Sequence, residues 1–186
     1  MNIKKIFLLF VVFCLISNLA VYASDNEAVV LDELGFMNIN DSKVIITKAE
    51  FVVILTKLIN IDKSMDITGN ITFKDVPSSH YAYSELYVAS MLGIINGDEN
   101  GNLYPDEPIS YMQAVKMLVS ALGYDAYAQI KGGYPSGYLI TAQEIDLTKG
   151  LTIYNDRWLT RTDAADLIYN ALDVKVMKTS IIGDSI

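Results

Sequence analysis

Apolar residues recur along the chain at the spacing of an amphipathic helix, and the clearest case follows Ser110. These residues fall at i, i+3, i+4, i+7 and i+8, so they form one stripe of an α-helix. Ser110 and Gln113 have the spacing of a capping box, and Gly123 is suited to end the helix. The stripe consists of Ala114, Met117, Leu118, Ala121 and Leu122.

Two further segments have the same capped pattern. Thr47 and Glu50 are the capping pair ahead of one stripe, and Thr160 and Asp163 are the pair ahead of the other. A helix pair that recurs along a chain cannot bury its apolar face alone, so it must pack on neighbouring copies. The pattern therefore predicts an all-α fold of three tandem helix-loop-helix repeats.

The three predicted repeats differ in completeness. The first, residues 24–62, is abbreviated at its front, whereas the second, residues 73–125, has a full helix, a loop rich in Gly and Pro, and the capped helix. The third, residues 133–175, aligns with the second so that Tyr134 matches Tyr81 and Gly150 matches Gly97. The tail, residues 176–186, has little periodicity and is expected to lie on or off the surface.

The N-terminal segment, residues 1–23, is predicted to be a signal peptide that is removed on export. Lys4 and Lys5 precede an apolar run, and Val21-Tyr22-Ala23 supplies small residues for cleavage before Ser24. An uncleaved membrane anchor is the alternative, but the run is shorter than the roughly 20 residues of a spanning helix. We therefore expect no stable membrane insertion after cleavage. Cys14 lies in this segment and is the only cysteine, so the exported chain has no disulfide or thiol chemistry.

The charge of the chain argues against two classes of partner. The formal net charge is −8, and removal of Lys4 and Lys5 with the signal peptide makes it −10. Nucleic acid and anionic membranes attract basic surfaces, so neither is expected as the main partner. Any anionic ligand must be held by local groups.

Candidates for metal binding and catalysis are weak. Asp98, Asn100 and Asn102 have part of the spacing of a calcium loop, but the twelfth position is Ile109 rather than Glu. His80 is the only histidine, so one chain cannot assemble a histidine metal cluster or a Ser/His pair, and His80 is expected to be structural. We predict no metal, no cofactor and no catalytic residue. The tyrosines either stack on sugar rings or cover the core between repeats.

Ordered short motifs accompany the repeats, and together they resemble the S-layer homology module of bacterial surface proteins. The resemblance spans essentially all of the chain after the signal peptide. It implies three modules packed as a pseudo-threefold all-helical prism, which binds secondary cell wall polysaccharide non-covalently, often through sugars that carry a pyruvate ketal. The motifs are Phe73-x-Asp75-Val76-Pro77, His80-Tyr81-Ala82-Tyr83, Leu92-Gly93-Ile94-Ile95-x-Gly97, Leu103-Tyr104-Pro105 and Ile46-Thr47-Lys48-Ala49-Glu50.

The resemblance also implies ligand-binding residues in grooves between modules. The basic position of the family is Lys48 in the first repeat and Arg161 in the third, but Tyr111 in the second. Tyr81 replaces the usual Trp of the family. The implied ligand-binding set is Lys48, Asp75, Tyr81, Gly97, Tyr134, Gly150 and Arg161.

The sequence gives its own reason to consider Lys48 and Arg161. Each follows an N-cap residue, where a cation destabilises the helix by a few tenths of a kcal/mol, so helix preference does not explain it. An anion there would meet a side-chain cation and free backbone amides. The alternative is that both side chains are simply solvated.

The sequence therefore predicts a secreted, non-catalytic module at the cell wall or surface of a Gram-positive-type bacterium. Its expected partner is secondary cell wall polysaccharide, and the resemblance implies a longer cargo region after the third module. Two alternatives stay open at this stage. One is a protein-protein assembly module of a surface lattice, and the other is a secreted acid/base hydrolase.

Overall fold

A computed structural model describes Asp32, Gly35 and residues 44–60, 73–154 and 157–177. Predictions for the signal peptide, for most of the front half of the first repeat and for residues 178–186 lie outside these residues. The described residues form helices and no strand, which confirms the all-α class. The helices are α1 (Lys48–Leu58), α2 (Tyr83–Met91), α3 (Tyr111–Ala121), α4 (Asp125–Ile130), α5 (Ser136–Glu144) and α6 (Arg161–Asp173).

All three predicted capping boxes are present, at the starts of α1, α3 and α6. At α1, the Glu50 amide donates to Thr47 Oγ1 at 3.2 Å, and the Thr47 amide donates to Glu50 Oε2 at 2.8 Å. Such a cap contributes about 1 kcal/mol to stability. Local sequence therefore determines where each of these helices begins.

The three capped helices share one core. Helices α1, α3 and α6 contact one another, and their inward side chains are buried. Helix α2 packs on α1, and α5 packs on α3, so each of these helices lies against the capped helix of the preceding repeat. The repeat in sequence is thus not the packing unit. Central buried residues are Phe51, Leu55, Leu118, Leu167 and Ile168.

A closed ring of backbone hydrogen bonds joins the three segments that precede the capped helices. The Ile46 amide donates to the Leu159 carbonyl at 3.1 Å, and the Leu159 amide donates to the Ile109 carbonyl at 2.8 Å. The Ile109 amide closes the ring by donating to the Ile46 carbonyl at 3.1 Å. All three side chains are buried. The ring brings the N-termini of α1, α3 and α6 to one end of the core, and the pseudo-threefold prism stays a prediction that this ring supports.

Two features of the fold were not predicted. Helix α4 lies between the second and third repeats and packs on α3 and α5. The chain after α6 returns to the end of α3, where the Met177 amide donates to the Leu122 carbonyl at 2.9 Å. This contact requires Gly123, because a Cβ atom at that position would lie 2.4 Å from the Met177 carbonyl oxygen. Among the helices described, none is both long and apolar enough to span a bilayer.

Candidate functional site

The first candidate groove lies between α1 and the loop that follows α2. The Lys48 ammonium group donates a hydrogen bond to the Leu103 carbonyl. On the same loop, the Asp75 carboxylate accepts hydrogen bonds from the Leu103 amide at 2.8 Å and the Tyr104 amide at 2.6 Å. The structure thus brings Lys48 and Asp75 to the same loop residue, Leu103, although they belong to different predicted repeats.

The surroundings of Lys48 are partly dry and acidic. Burial lowers the pKa of the Lys48 amine, and this effect exceeds the opposing effect of the nearby carboxylates of Glu107, Asp75 and Asp98. The ammonium nitrogen also lies 5.9 Å from the centroid of the Tyr104 ring. Lys48 is therefore a partly buried hydrogen-bond donor rather than a freely solvated side chain.

Tyr81 lies at the edge of this groove and is 65% exposed. Its ring stacks on His80, with centroids 4.7 Å apart. Burial of its hydroxyl raises the pKa of Tyr81, while a hydrogen bond with the Thr47 side chain opposes the rise and the charge of Glu50 adds to it. The phenol therefore approaches the capped start of α1, and the exposed part of the ring is accessible from solvent.

His80 has the structural role that the sequence predicts. Its Nδ1 accepts a hydrogen bond from the Ala82 amide at 3.1 Å, which supports the turn before α2. Its Nε2 lies 3.2 Å from Asp106 Oδ1. The ring also supports Tyr81 from one side, so His80 helps to position the groove.

The loop after α2 is shaped by its own contacts. A Cβ atom on Gly97 would lie 3.0 Å from the Phe73 ring, so close packing explains this glycine, and a role in binding stays a prediction. Asp98 accepts hydrogen bonds from the amides of Asn100 and Asn102 at 2.9 and 2.8 Å, which explains their regular spacing as a closed turn. In the described part of the chain, no three His, Cys, Asp or Glu side chains could hold a metal ion.

The expectation of free amides at the start of α1 is wrong. The Lys48 amide donates to the Glu107 carbonyl at 3.0 Å, and the Ala49 amide donates to the Pro105 carbonyl at 2.8 Å. The amides of Thr47 and Glu50 are used by the capping box. Contacts between repeats satisfy the helix end, so an anion in this groove would have to bind side chains.

Arg161 occupies the matching position on α6, at the junction of the third and first repeats. Its amide donates to the Val44 carbonyl at 2.8 Å, and its guanidinium nitrogen lies 4.0 Å from Glu50 Oε1. The charge of Glu50 also raises the pKa of Tyr81, so Arg161 and Tyr81 lie near the same carboxylate. The part of the first repeat expected to complete a groove around Arg161 falls outside the described residues.

A second groove lies between the second and third repeats, and it contains Tyr111 and Gly150. It encloses a cavity of about 230 Å³. Tyr134 is not among the residues lining this cavity; it is 55% exposed and makes an edge-to-face contact with Tyr138 at 6.3 Å. The predicted site residues are thus divided among four places: the first groove, the junction at Arg161, the second groove and the exposed Tyr134. The cavity lining comprises Tyr111, Gly150, Leu151, Thr152, Tyr154, Asp163 and Asp166.

Sequence reasoning missed Arg157, which supplies the cation beside the second groove. Its guanidinium carbon lies 3.6 Å from the centroid of the Tyr154 ring, and the group forms an ion pair with Asp163. Tyr154 precedes the N-cap residue Thr160 by the same number of residues as Tyr104 precedes the N-cap residue Ser110. In both grooves a cation therefore lies near an equivalent tyrosine ring. The available signal was Arg157 itself, which stands where the second repeat has Glu107.

Comparisons with known proteins show which proteins this chain is similar to. Residues 72–115 match the family model of the S-layer homology domain. The chain is 28% identical over 135 residues to a cell surface protein of Thermoanaerobacter kivui, covering 72% of this chain and 17% of that protein. It is 29% identical over 142 residues to the middle cell wall protein of Brevibacillus brevis, covering 76% of this chain and 13% of that protein.

A third similar protein is an enzyme by name. The chain is 28% identical over 133 residues to an endoglucanase of a Bacillus species, covering 72% of this chain but 12% of that protein. The chain thus spans less than a fifth of the length of each of these relatives. The domain match and the surface proteins support a location at the cell wall or cell surface and an anchoring role there.

Proposed function

We propose that this chain is a non-catalytic module that anchors protein at the cell surface by binding secondary cell wall polysaccharide non-covalently. The observation that carries the proposal is the groove in which Lys48 and Asp75 both form hydrogen bonds with the backbone of Leu103. This groove joins α1 to the segment that matches the S-layer homology domain. Similarity to surface proteins over most of the chain supports the same role.

The ligand of this groove is proposed to be an acidic sugar, such as one that carries a pyruvate ketal. The chain as a whole is acidic, with a net charge of −8, so an anionic ligand needs a local cation. Lys48 has one hydrogen bond to Leu103, and an ammonium group has three donors, so it can also bind a carboxylate. The exposed ring of Tyr81 offers an apolar surface for a sugar ring.

Cosedimentation with purified cell walls tests this function. The exported chain should bind intact walls and lose binding after the non-peptidoglycan polymer is extracted. Binding that survives extraction would point to peptidoglycan or to protein-protein assembly and would contradict the proposal. Release of soluble wall glycan by the chain would instead support the hydrolase alternative.

A matched pair of variants tests the groove. Lys48→Gln removes the charge at the first residue of α1 and should weaken polymer binding about tenfold or more, because hydrogen bonds to charged groups are worth about 1.5–3 kcal/mol. Lys57→Gln removes the same charge in the last turn of α1, where the side chain bonds to the Gly35 carbonyl. It should leave binding nearly unchanged. Equal losses in both variants would show that net charge, and not this groove, governs binding.

A further inference from the structure

The second groove contains a buried hydroxyl group without a partner. Tyr111 is 1% exposed, and its hydroxyl makes no hydrogen bond to any described residue. A buried polar group in this state is destabilising, so it usually marks a place that water or a ligand completes. Tyr111 also lines the cavity described above. The cavity and the unpaired hydroxyl are two independent signs of a ligand site.

A second unpaired donor belongs to Arg157, which contacts the same tyrosine as Tyr111 does. The Arg157 Nε atom is buried and has no hydrogen-bond partner in the described part of the chain. One terminal nitrogen of this guanidinium group forms the ion pair with Asp163, and its plane lies over the Tyr154 ring. The Tyr111 ring meets Tyr154 edge-on, with centroids 5.9 Å apart, so the two side chains that carry the unpaired donors contact the same tyrosine.

The positive charge beside the cavity is already balanced, because Arg157 forms an ion pair with Asp163. Asp166 also lines the cavity and adds negative charge, so an anionic ligand is disfavoured there. Burial, and next the charge of Asp163, raises the pKa of Tyr111 to about 12, so the phenol keeps its proton at neutral pH. A ligand carboxylate would meet like charges here, whereas a neutral hydroxyl can accept from Tyr111 and donate to a carboxylate.

We propose that the second groove binds a neutral, hydroxyl-bearing sugar residue of the same wall polysaccharide, with Tyr111 as the hydrogen-bond donor that recognises it. This inference rests on the proposed function of the first groove and assigns the two grooves different ligands. The cavity of about 230 Å³ is smaller than the roughly 300–1,000 Å³ of drug-sized sites, which suits a single sugar residue.

Tyr111→Phe tests the proposal, because it removes only the hydroxyl oxygen and its proton. The probes are the intact acidic polymer, the same polymer after chemical reduction of its carboxylates to alcohols, and peptidoglycan stripped of that polymer. We expect wild type to bind the reduced polymer and Tyr111→Phe to bind it at least fivefold more weakly. Lys48→Gln should bind the reduced polymer like wild type but the intact polymer more weakly.

Thermal unfolding separates a binding role of Tyr111 from a structural one. Without ligand, Tyr111→Phe should have the same melting temperature as wild type or a higher one, because it removes an unpaired buried group. The control is Tyr138→Phe, whose hydroxyl donates to Asp125 Oδ1 at 2.6 Å. It should melt at a lower temperature than wild type and bind the reduced polymer normally.

Each other outcome has a defined meaning. Wild-type affinity of Tyr111→Phe for the reduced polymer, or a lowered melting temperature of that variant, would overturn this inference and leave the first groove intact. Binding of the intact but not the reduced polymer by wild type would do the same. Failure to bind either polymer would overturn both proposals. Binding to stripped peptidoglycan that Tyr111→Phe abolishes would exclude the secondary polymer as the source of the sugar.

Discussion

Truncation of Leu118 should weaken all three repeats together. Leu118 is fully buried on α3, which contacts both other capped helices. Leu→Ala changes in cores cost about 2–5 kcal/mol, because transfer energy is lost and a cavity remains. A loss of about 3 kcal/mol lowers the melting temperature of a domain of this size by roughly 6–12 °C. Because the core and the ring at Ile46, Ile109 and Leu159 are shared, we expect one transition at this lower temperature.

Two probes make this prediction refutable. Trp158 is the only tryptophan, and it forms a backbone bridge with Ser110, so its fluorescence reports on the junction of the second and third repeats. Far-UV circular dichroism reports on all helices. The two melting curves should shift together in Leu118→Ala. A fluorescence midpoint that stays at the wild-type value while the dichroism midpoint falls would show that the repeats unfold separately.

The control for this experiment is Leu172→Ala. Leu172 is on α6 and is 42% exposed, so the same chemical change removes little buried surface. Substitutions at such positions are usually within about 0.5 kcal/mol of neutral. A comparable loss in both variants would show that the measured cost does not come from core packing.

Three further predictions concern particular residues. Gly123→Ala should cost at least about 1 kcal/mol more than Gly93→Ala in urea unfolding, because both glycines have positive φ but only the first lacks room beside Met177; equal costs would refute this contact. Stability should fall as pH rises from 10.0 to about 12, since unfolding lowers the pKa of Tyr111 to its ordinary value, and Tyr111→Phe should lack that part of the fall. Arg161→Gln should lose most of the polymer affinity and Arg161→Lys only part, because Lys lacks the guanidinium fork; unchanged affinity in a folded Arg161→Gln would remove it from the site.

The helix starts were predictable because their causes are local. A capping box links residues three apart, as in Ser110 and Gln113, so it is visible in a short window of sequence. The ring was not predictable in this way. Its three members, Ile46, Ile109 and Leu159, are far apart in sequence, and their hydrogen bonds involve only backbone atoms. No side-chain pattern records such a contact.

The candidate site was predictable in part. The meeting of Lys48 and Asp75 followed from a family resemblance and not from periodicity, since the two residues contact a common loop across a repeat boundary. Arg157 was missed for a related reason. Tyr154, which Arg157 contacts, is nearby in sequence. Tyr111, which contacts the same tyrosine ring and lines the groove, belongs to the preceding predicted repeat. The sequence also did not show that the amides at the start of α1 are hydrogen-bonded, because their acceptors lie in the second predicted repeat.

The backbone ring indicates that the three predicted repeats fold together rather than one by one. A segment that contains one predicted repeat would carry one donor and one acceptor of the ring but neither of their partners. A segment of two predicted repeats could not close the ring. Closure joins Ile46 to Leu159 and so needs contact between the first and last members. Such long-range closure slows folding, because chain entropy is lost before the contact forms. We therefore expect a chain that is extended by a copy of one predicted repeat to form the same ring of three backbone hydrogen bonds, with the extra copy outside the ring.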